Sequence, residues 1–307
     1  MKKIMITLIV CMLVGCSTQH TVETKDGKLS VVTTSFIGYD IAVQISKDKA
    51  NVINVLPLGS ELHNFEPSAK DIINIKEADL FIYLSETLEP WLKNISKYNT
   101  GINLSKSYSL KKHKHEFGER NAEEHDHASL HFWSDPTTYI QLIEKTKDQF
   151  VELDPDNQTY YEQNATAYCE EIKMLHTRFA AYIKKQDHPS IYYAAHNAME
   201  AFANRYHIRI KAFDDEYRPD ADITAQQIKT MKDEIEQQDI HYLFVEELQE
   251  PRVAKQIQAA LQEEDYTLEI MELHSYHNIS KEQNEKGIRY ADILQANITN
   301  IKQALDH

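Results

Sequence analysis

The chain has 307 residues, of which 33 are basic and 48 acidic, giving a formal net charge of −15 at neutral pH. So acidic a chain lacks the basic footprint that nucleic-acid binding needs, which excludes that class of partner and favours cations. Its three cysteines, Cys11, Cys16 and Cys169, form no CxxC and no disulfide framework, so stability must come from ordinary cores, for which the length allows two domains.

Lys2 and Lys3 precede an apolar run, Ile4 to Val14, which is too short to span a bilayer and has the length of a signal-peptide core. The run ends in Leu13-Val14-Gly15-Cys16, the form of a bacterial lipobox. Residues 1–15 are expected to be removed and Cys16 to become the lipid-modified first residue, because two acyl chains anchor a protein stably to a membrane. The plainer alternative is a secretory signal in which Cys16 is incidental. Cleavage takes away two lysines and no acid, moving the net charge from −15 to −17. Residues 16–28 are polar and read as a tether.

A first α/β lobe is expected over 29–153. Leu29 to Thr34, Val52 to Leu58, Leu80 to Leu84 and Ile102 to Leu104 read as strands. Tyr39 to Ser46 and Ser68 to Lys76 read as helices, and Glu89-Pro90-Trp91 opens another. Asp135-Pro136 is a helix start, with Pro at the first helical position. Residues 154–186 follow as a linker helix, with an apolar stripe at Tyr161, Ala165, Tyr168, Ile172, Leu175, Phe179 and Tyr182. A second lobe over 187–307 repeats the alternation. Its strands are Ile191 to Ala195, Ile208 to Phe213, Tyr242 to Val245 and Leu268 to Leu273. Its helices are Ala198 to Tyr206, Thr224 to Gln238, Pro251 to Leu261 and Ile288 to Leu305. Apolar strands alternating with helices predict two parallel-sheet α/β lobes, joined by one long helix and separated by a cleft.

Four histidines fall just past the C-terminal ends of predicted strands or in the loops that follow them, where parallel sheets bind ligands: His63, His131, His196 and His277. Two from each lobe is the arrangement a metal held in the cleft requires, and four neutral imidazoles can complete a tetrahedral zinc shell. Any one of these histidines alone reads more simply as a hydrogen-bonded loop residue, and only their joint pattern points to a metal. Cys169 lies within the linker helix and reads as a packing residue.

These residues sit in segments that resemble a known family, the metal-binding lipoproteins of zinc and manganese ABC importers. The likeness covers nearly the whole chain beyond the leader. His63-Asn64-Phe65-Glu66-Pro67-Ser68, Glu89-Pro90-Trp91-Leu92, His131-Phe132-Trp133-Ser134-Asp135-Pro136, Ala195-His196-Asn197-Ala198, Phe244-Val245-Glu246-Glu247 and Gly287-Ile288-Arg289-Tyr290 with Asn297 carry it. The resemblance implies two lobes around a rigid helix, with His63, His131 and His196 as ligands. It also implies a monomeric extracytoplasmic receptor that hands its ion to an ABC permease and its ATP-binding subunit. Many relatives place a carboxylate at the fourth ligand, whereas here the segment offers His274 and His277. Aligning the closing helix favours His277 and keeps His274 as the alternative; the two lie three apart, so one is expected to face the cleft and the other outward. Mostly histidine donors favour Zn2+ over Mn2+, which prefers oxygen ligands.

Residues 111–127 carry His113, His115, His125 and His127 among glutamates without apolar periodicity, and read as a His- and acid-rich loop. Two further readings stand beside the receptor. A zinc-dependent hydrolase would need three ligands, a water and a base, but no HExxH occurs and only Glu61 and Glu66 flank His63. A surface adhesin is the other, although no separate adhesive module is visible.

Overall fold

The computed structural model describes residues 27–95, 101–108, 129–214, 224–248 and 250–306. The lipobox with Cys16, the tether up to residue 26 and the His- and acid-rich loop lie outside the described residues.

Two four-stranded parallel sheets organise the chain. The first contains β1 (Leu29–Thr33), β2 (Ala50–Asn54), β3 (Leu80–Tyr83) and β4 (Ile102–Asn103), in the order β2-β1-β3-β4. The second contains β5 (Ser190–His196), β6 (Arg209–Asp214), β7 (Tyr242–Val245) and β8 (Glu269–Glu272), in the equivalent order β6-β5-β7-β8. Both sheets are wound second-first-third-fourth, so the common alternation read from sequence is one topology used twice. The central strands are the apolar ones, as burial on both faces demands: Leu80 to Ile82 of β3 and all four residues of β7 are buried.

The helices follow the sequence signals, with instructive departures. Helix α1 (Phe36–Ser46) begins three residues earlier than expected, because Ser35 caps it by accepting from the Gly38 N–H at 3.3 Å. Gly38 lets the helix lie close on the sheet. A Cβ there would stand 3.2 Å from Ile82 Cγ2 and 3.3 Å from Thr33 Cβ. Helix α2 (Ala69–Glu77) starts with a reciprocal capping box between Ser68 and Asp71. Pro90–Asn94 is a 3-10 turn rather than the start of an α-helix.

Helix α3 (Pro136–Leu153) is capped by Asp135, which accepts from Thr137 N–H at 2.8 Å. The linker is a 3-10 turn, Pro155–Asn157, followed by α4 (Gln158–Ile183). Its 26 residues span roughly 39 Å at 1.5 Å per residue, somewhat shorter than a helix beginning at Pro155. Tyr161, Ala165, Tyr168, Ile172 and Phe179 of the expected stripe are buried, whereas Leu175 and Tyr182 are only partly so.

In the second half come α5 (Glu200–Tyr206), α6 (Ala225–Gln237), α7 (Arg252–Gln262), the short α8 (Lys281–Glu285) and α9 (Tyr290–Leu305). Helix α8 escaped the sequence reading, although Ser280 and Gln283 form a capping box at its start. One apolar cluster runs from Val31 and Ile82 through Tyr161, Ile172 and Phe179 of α4 to Tyr193, Phe244 and Leu273 beside the second sheet. A column of tyrosines lies within it. Tyr139 stacks on Tyr290 at 3.6 Å between ring centroids, and Tyr290 on Tyr276 at 4.5 Å. Asp40 of α1 accepts hydrogen bonds from Tyr139 at 2.6 Å and Tyr168 at 2.7 Å, and burial pushes its pKa up to about 6.

Candidate metal centre

Each of the four histidines is delivered by a different connection at a sheet's carboxyl edge. His63 sits in the loop between β2 and α2. His131 immediately precedes the 3-10 turn Phe132–Ser134, which runs into α3. His196 is the last residue of β5, and His277 lies just past β8. Their donor nitrogens all lie within 4.8 Å of one another. Ring centroids are 4.8 Å apart for His63 and His277, 4.9 Å for His131 and His277, and at most 5.8 Å for the remaining pairs. His131 and His277 are buried, the His63 side chain is 3 % exposed, and that of His196 is 17 % exposed.

Trp133 makes one wall. Its ring stands edge-on to His131 at 5.3 Å and to His277 at 5.8 Å, and its indole N–H donates to the Ser275 carbonyl at 3.0 Å. Two residues on, Asp135 takes a two-pronged ion pair from Arg205 of α5, with Nε to Oδ1 at 2.9 Å and Nη2 to Oδ2 at 2.6 Å. The His131 connection, which follows the first sheet, is thereby fixed to the second half of the molecule.

The tautomers are set from behind by a carboxylate. Glu246, directly after β7, places Oε1 at 3.0 Å from His277 Nδ1 and Oε2 at 3.3 Å from His196 Nδ1. One carboxylate therefore accepts from the Nδ1–H of two rings, leaving both Nε2 atoms for the cluster. The neighbouring Glu247 accepts from the backbone N–H groups of Ser275 at 2.8 Å and His277 at 3.2 Å, which fixes the loop itself. In the sequence alone, Glu246 and Glu247 have no evident role. Their one legible signal is a pair of acids directly after a fully apolar strand, at the edge where the histidines lie.

The same environment separates the rings electrostatically. Burial, with the nearby His277 and His196, lowers the His63 pKa to about 3. Burial and the same neighbours hold His131 well below the ordinary range. Burial also opposes charge on His277, but the hydrogen bond and charge of Glu246, with Glu247 behind, outweigh it and raise its pKa. For Glu246, burial would favour the neutral acid, yet the bonds from His196 and His277 prevail and hold it well below the usual carboxylate range.

His274 stays outside the four, but it does not face solvent as its spacing from His277 suggested. Its residue is 2 % exposed, its Nδ1 accepts from the Tyr276 N–H at 3.0 Å, and Asn297 bonds its backbone N–H and carbonyl. The physical reason is the left-handed backbone of Tyr276, with φ +66°, which turns the chain between the two histidines and buries both in different places. Glu61 and Glu66, the acids nearest His63 in sequence, are not equivalent to Glu246. Glu61 reaches only to 3.9 Å from His63 Nε2, with its side chain 39 % exposed.

A family model described as the zinc-uptake complex component A, periplasmic (ZnuA), matches residues 31–304. The chain belongs to the ZnuA family. It is 29 % identical over 298 residues to the high-affinity zinc uptake system protein ZnuA of Bacillus subtilis, covering 94 % of this chain and 91 % of that protein. It is 28 % identical to the zinc-binding lipoprotein AdcA of Streptococcus pneumoniae, matching along its full length but spanning only 62 % of that longer protein. The crystal structure of the Zn(II)-bound ZnuA-like domain of the pneumococcal AdcA superposes with a TM-score of 0.74 and 26 % identity, covering 92 % of this chain and 100 % of the domain. The two-lobe α/β architecture of the family is thus also the architecture of this chain.

Proposed function

We propose that this protein is the extracytoplasmic receptor of a zinc importer. It captures Zn2+ with His63, His131, His196 and His277 and passes it to an ABC permease driven by an ATP-binding subunit. The observation that carries the reading is the convergence of four imidazoles, two from each half of the chain, with donor atoms within 4.8 Å of one another. A tetrahedral shell with bonds of about 2.0–2.1 Å sets its donors about 3.3 Å apart, so small ring movements close the site on the ion. Four protein donors fill that shell and leave no position for a reactive water, which favours a receptor over a hydrolase. An all-nitrogen set favours zinc over manganese, and the buried Glu246 and Glu247 offset the charge of a dication. The zinc named in the descriptions of the family and of these relatives supports the same ion. Anchoring through Cys16 completes the reading and keeps the receptor beside its permease.

The test is zinc titration against a competing chelator, comparing wild type with His277→Ala and His274→Ala. Structural zinc sites bind with about 10–16 kcal/mol, so one ligand of four accounts for roughly 3 kcal/mol, or about a hundredfold in affinity. His277→Ala should lose that much and His274→Ala far less. The reverse ranking would give the fourth position to His274, and no loss in either would remove the case for a four-histidine shell.

A further inference from the structure

Next to His277 stands a side chain that the metal site does not use. Asn278 is fully buried, and its amide reaches across to the loop that carries His63. Nδ2 donates to the Pro57 carbonyl at 2.7 Å and to the Ser60 carbonyl at 2.9 Å. A third bond runs the other way, from the Gly59 N–H to the Ile279 carbonyl at 2.9 Å. Oδ1 of Asn278 is occupied locally, accepting from the Ile279 N–H at 2.9 Å. The amide orientation is dictated by this surrounding. Turned over, the oxygen would face two carbonyl oxygens and the NH2 group would face an N–H.

The placement matters more than the bonds alone. Residues 57–60 follow β2 of the first sheet and end three residues before His63, while 278–279 follow β8 of the second sheet and begin one residue after His277. His63 and His277 are also the pair with the shortest ring separation, 4.8 Å. Both donor hydrogens of one buried amide therefore join the two connections that carry this pair. Only an –NH2 group provides two hydrogens from a single atom at that distance. Asp keeps the local acceptor for Ile279 but turns a negative oxygen toward the two carbonyls.

We propose that Asn278 is a positioning residue that latches the His63 loop to the His277 loop and thereby sets how slowly zinc leaves. The proposal rests on the reading of the four histidines as the zinc site. An ion held by two ligands from each half leaves when the halves part, and parting at this edge breaks the two Asn278 bonds and the Gly59 bond together. Because these bonds hold the closed arrangement, their loss should fall on dissociation rather than association.

The experiment is stopped-flow release of zinc from the loaded protein into excess EDTA, with association measured separately, for wild type, Asn278→Asp and Asn278→Ser. Losing two buried hydrogen bonds should speed release by roughly 10- to 100-fold in Asn278→Asp. Asn278→Ser, with one donor that cannot reach both carbonyls, should lie between it and wild type. Association rates should stay within about threefold, a pattern that general loosening of the loop would not produce. Release within twofold of wild type in both variants, or a loss confined to association, overturns the latch. Should Asn278→Asp not fold, Asn278→Ser and the wild type still decide. Hydrogen exchange on zinc-loaded wild type must find the Gly59 amide protected, and rapid exchange there refutes the latch. A wild type that takes up no zinc would overturn the receptor reading itself, whereas a wild type that binds zinc and variants that release it normally would overturn the latch alone.

Discussion

Lowering the pH from 7.5 to 5.5 should weaken zinc binding far less steeply than four ordinary histidines would allow. Each imidazole that must lose a proton to bind zinc costs up to a factor of about ten in affinity per pH unit below its pKa. Four such groups titrating together would give up to about 10⁴ per unit. Here burial has already lowered His63 to about 3 and held His131 well below the ordinary range, so both are neutral throughout this window. With those two removed from the count, the limiting slope is at most about 10² per unit. His277 competes first. Its pKa is raised through Glu246, so the proton is retained below that raised value and zinc must displace it at a higher pH than from free imidazole. Removing His277 should lower the absolute affinity and at the same time flatten the pH dependence by one proton. The assay is competition against a chelator whose own proton binding is corrected, at half-unit steps, for wild type and His277→Ala. A wild-type slope of three or four protons would refute the claim that His63 and His131 are neutral, and an unchanged slope in His277→Ala would refute the role given to Glu246.

Glu246→Gln removes the charge and leaves one carbonyl to accept from two imidazoles, so zinc affinity should fall about 10- to 100-fold by calorimetry while the zinc-free fold is retained. Asp40→Ala leaves the hydroxyls of Tyr139 and Tyr168 buried without their acceptor and should cost roughly 2–4 kcal/mol in urea unfolding. A loss below about 0.5 kcal/mol would mean that the tyrosines re-pair without it. Cys16→Ser should release the protein from the membrane fraction or leave it unprocessed; a variant that still fractionates as a mature lipoprotein would end the lipobox reading.

The sequence by itself determined what depends on neighbours along the chain. Strand and helix periodicity, the Asp135-Pro136 start and the Thr224 cap are local, and they foretold two similarly wound halves around a long helix. The four histidines were legible because each stands at the end of a strand or in a connection that follows one, and their joint pattern pointed to the sheets' carboxyl edges. The departures were also local signals with a tertiary use. Helix α1 was expected from Tyr39, and the packing of Ile82 and Thr33 against Gly38 extends it to Phe36. What only the tertiary structure decided is which groups meet across the molecule. The spacing of His274 and His277 left both open, and the left-handed turn at Tyr276 brought one to the cluster and buried the other against Asn297. Glu246 lies 50 residues from His196 and 31 from His277, and Asn278 lies 221 residues from Pro57. Hydrogen bonds between such distant residues leave no periodicity for a sequence to display, because they arise only when two separately formed sheets dock around one core.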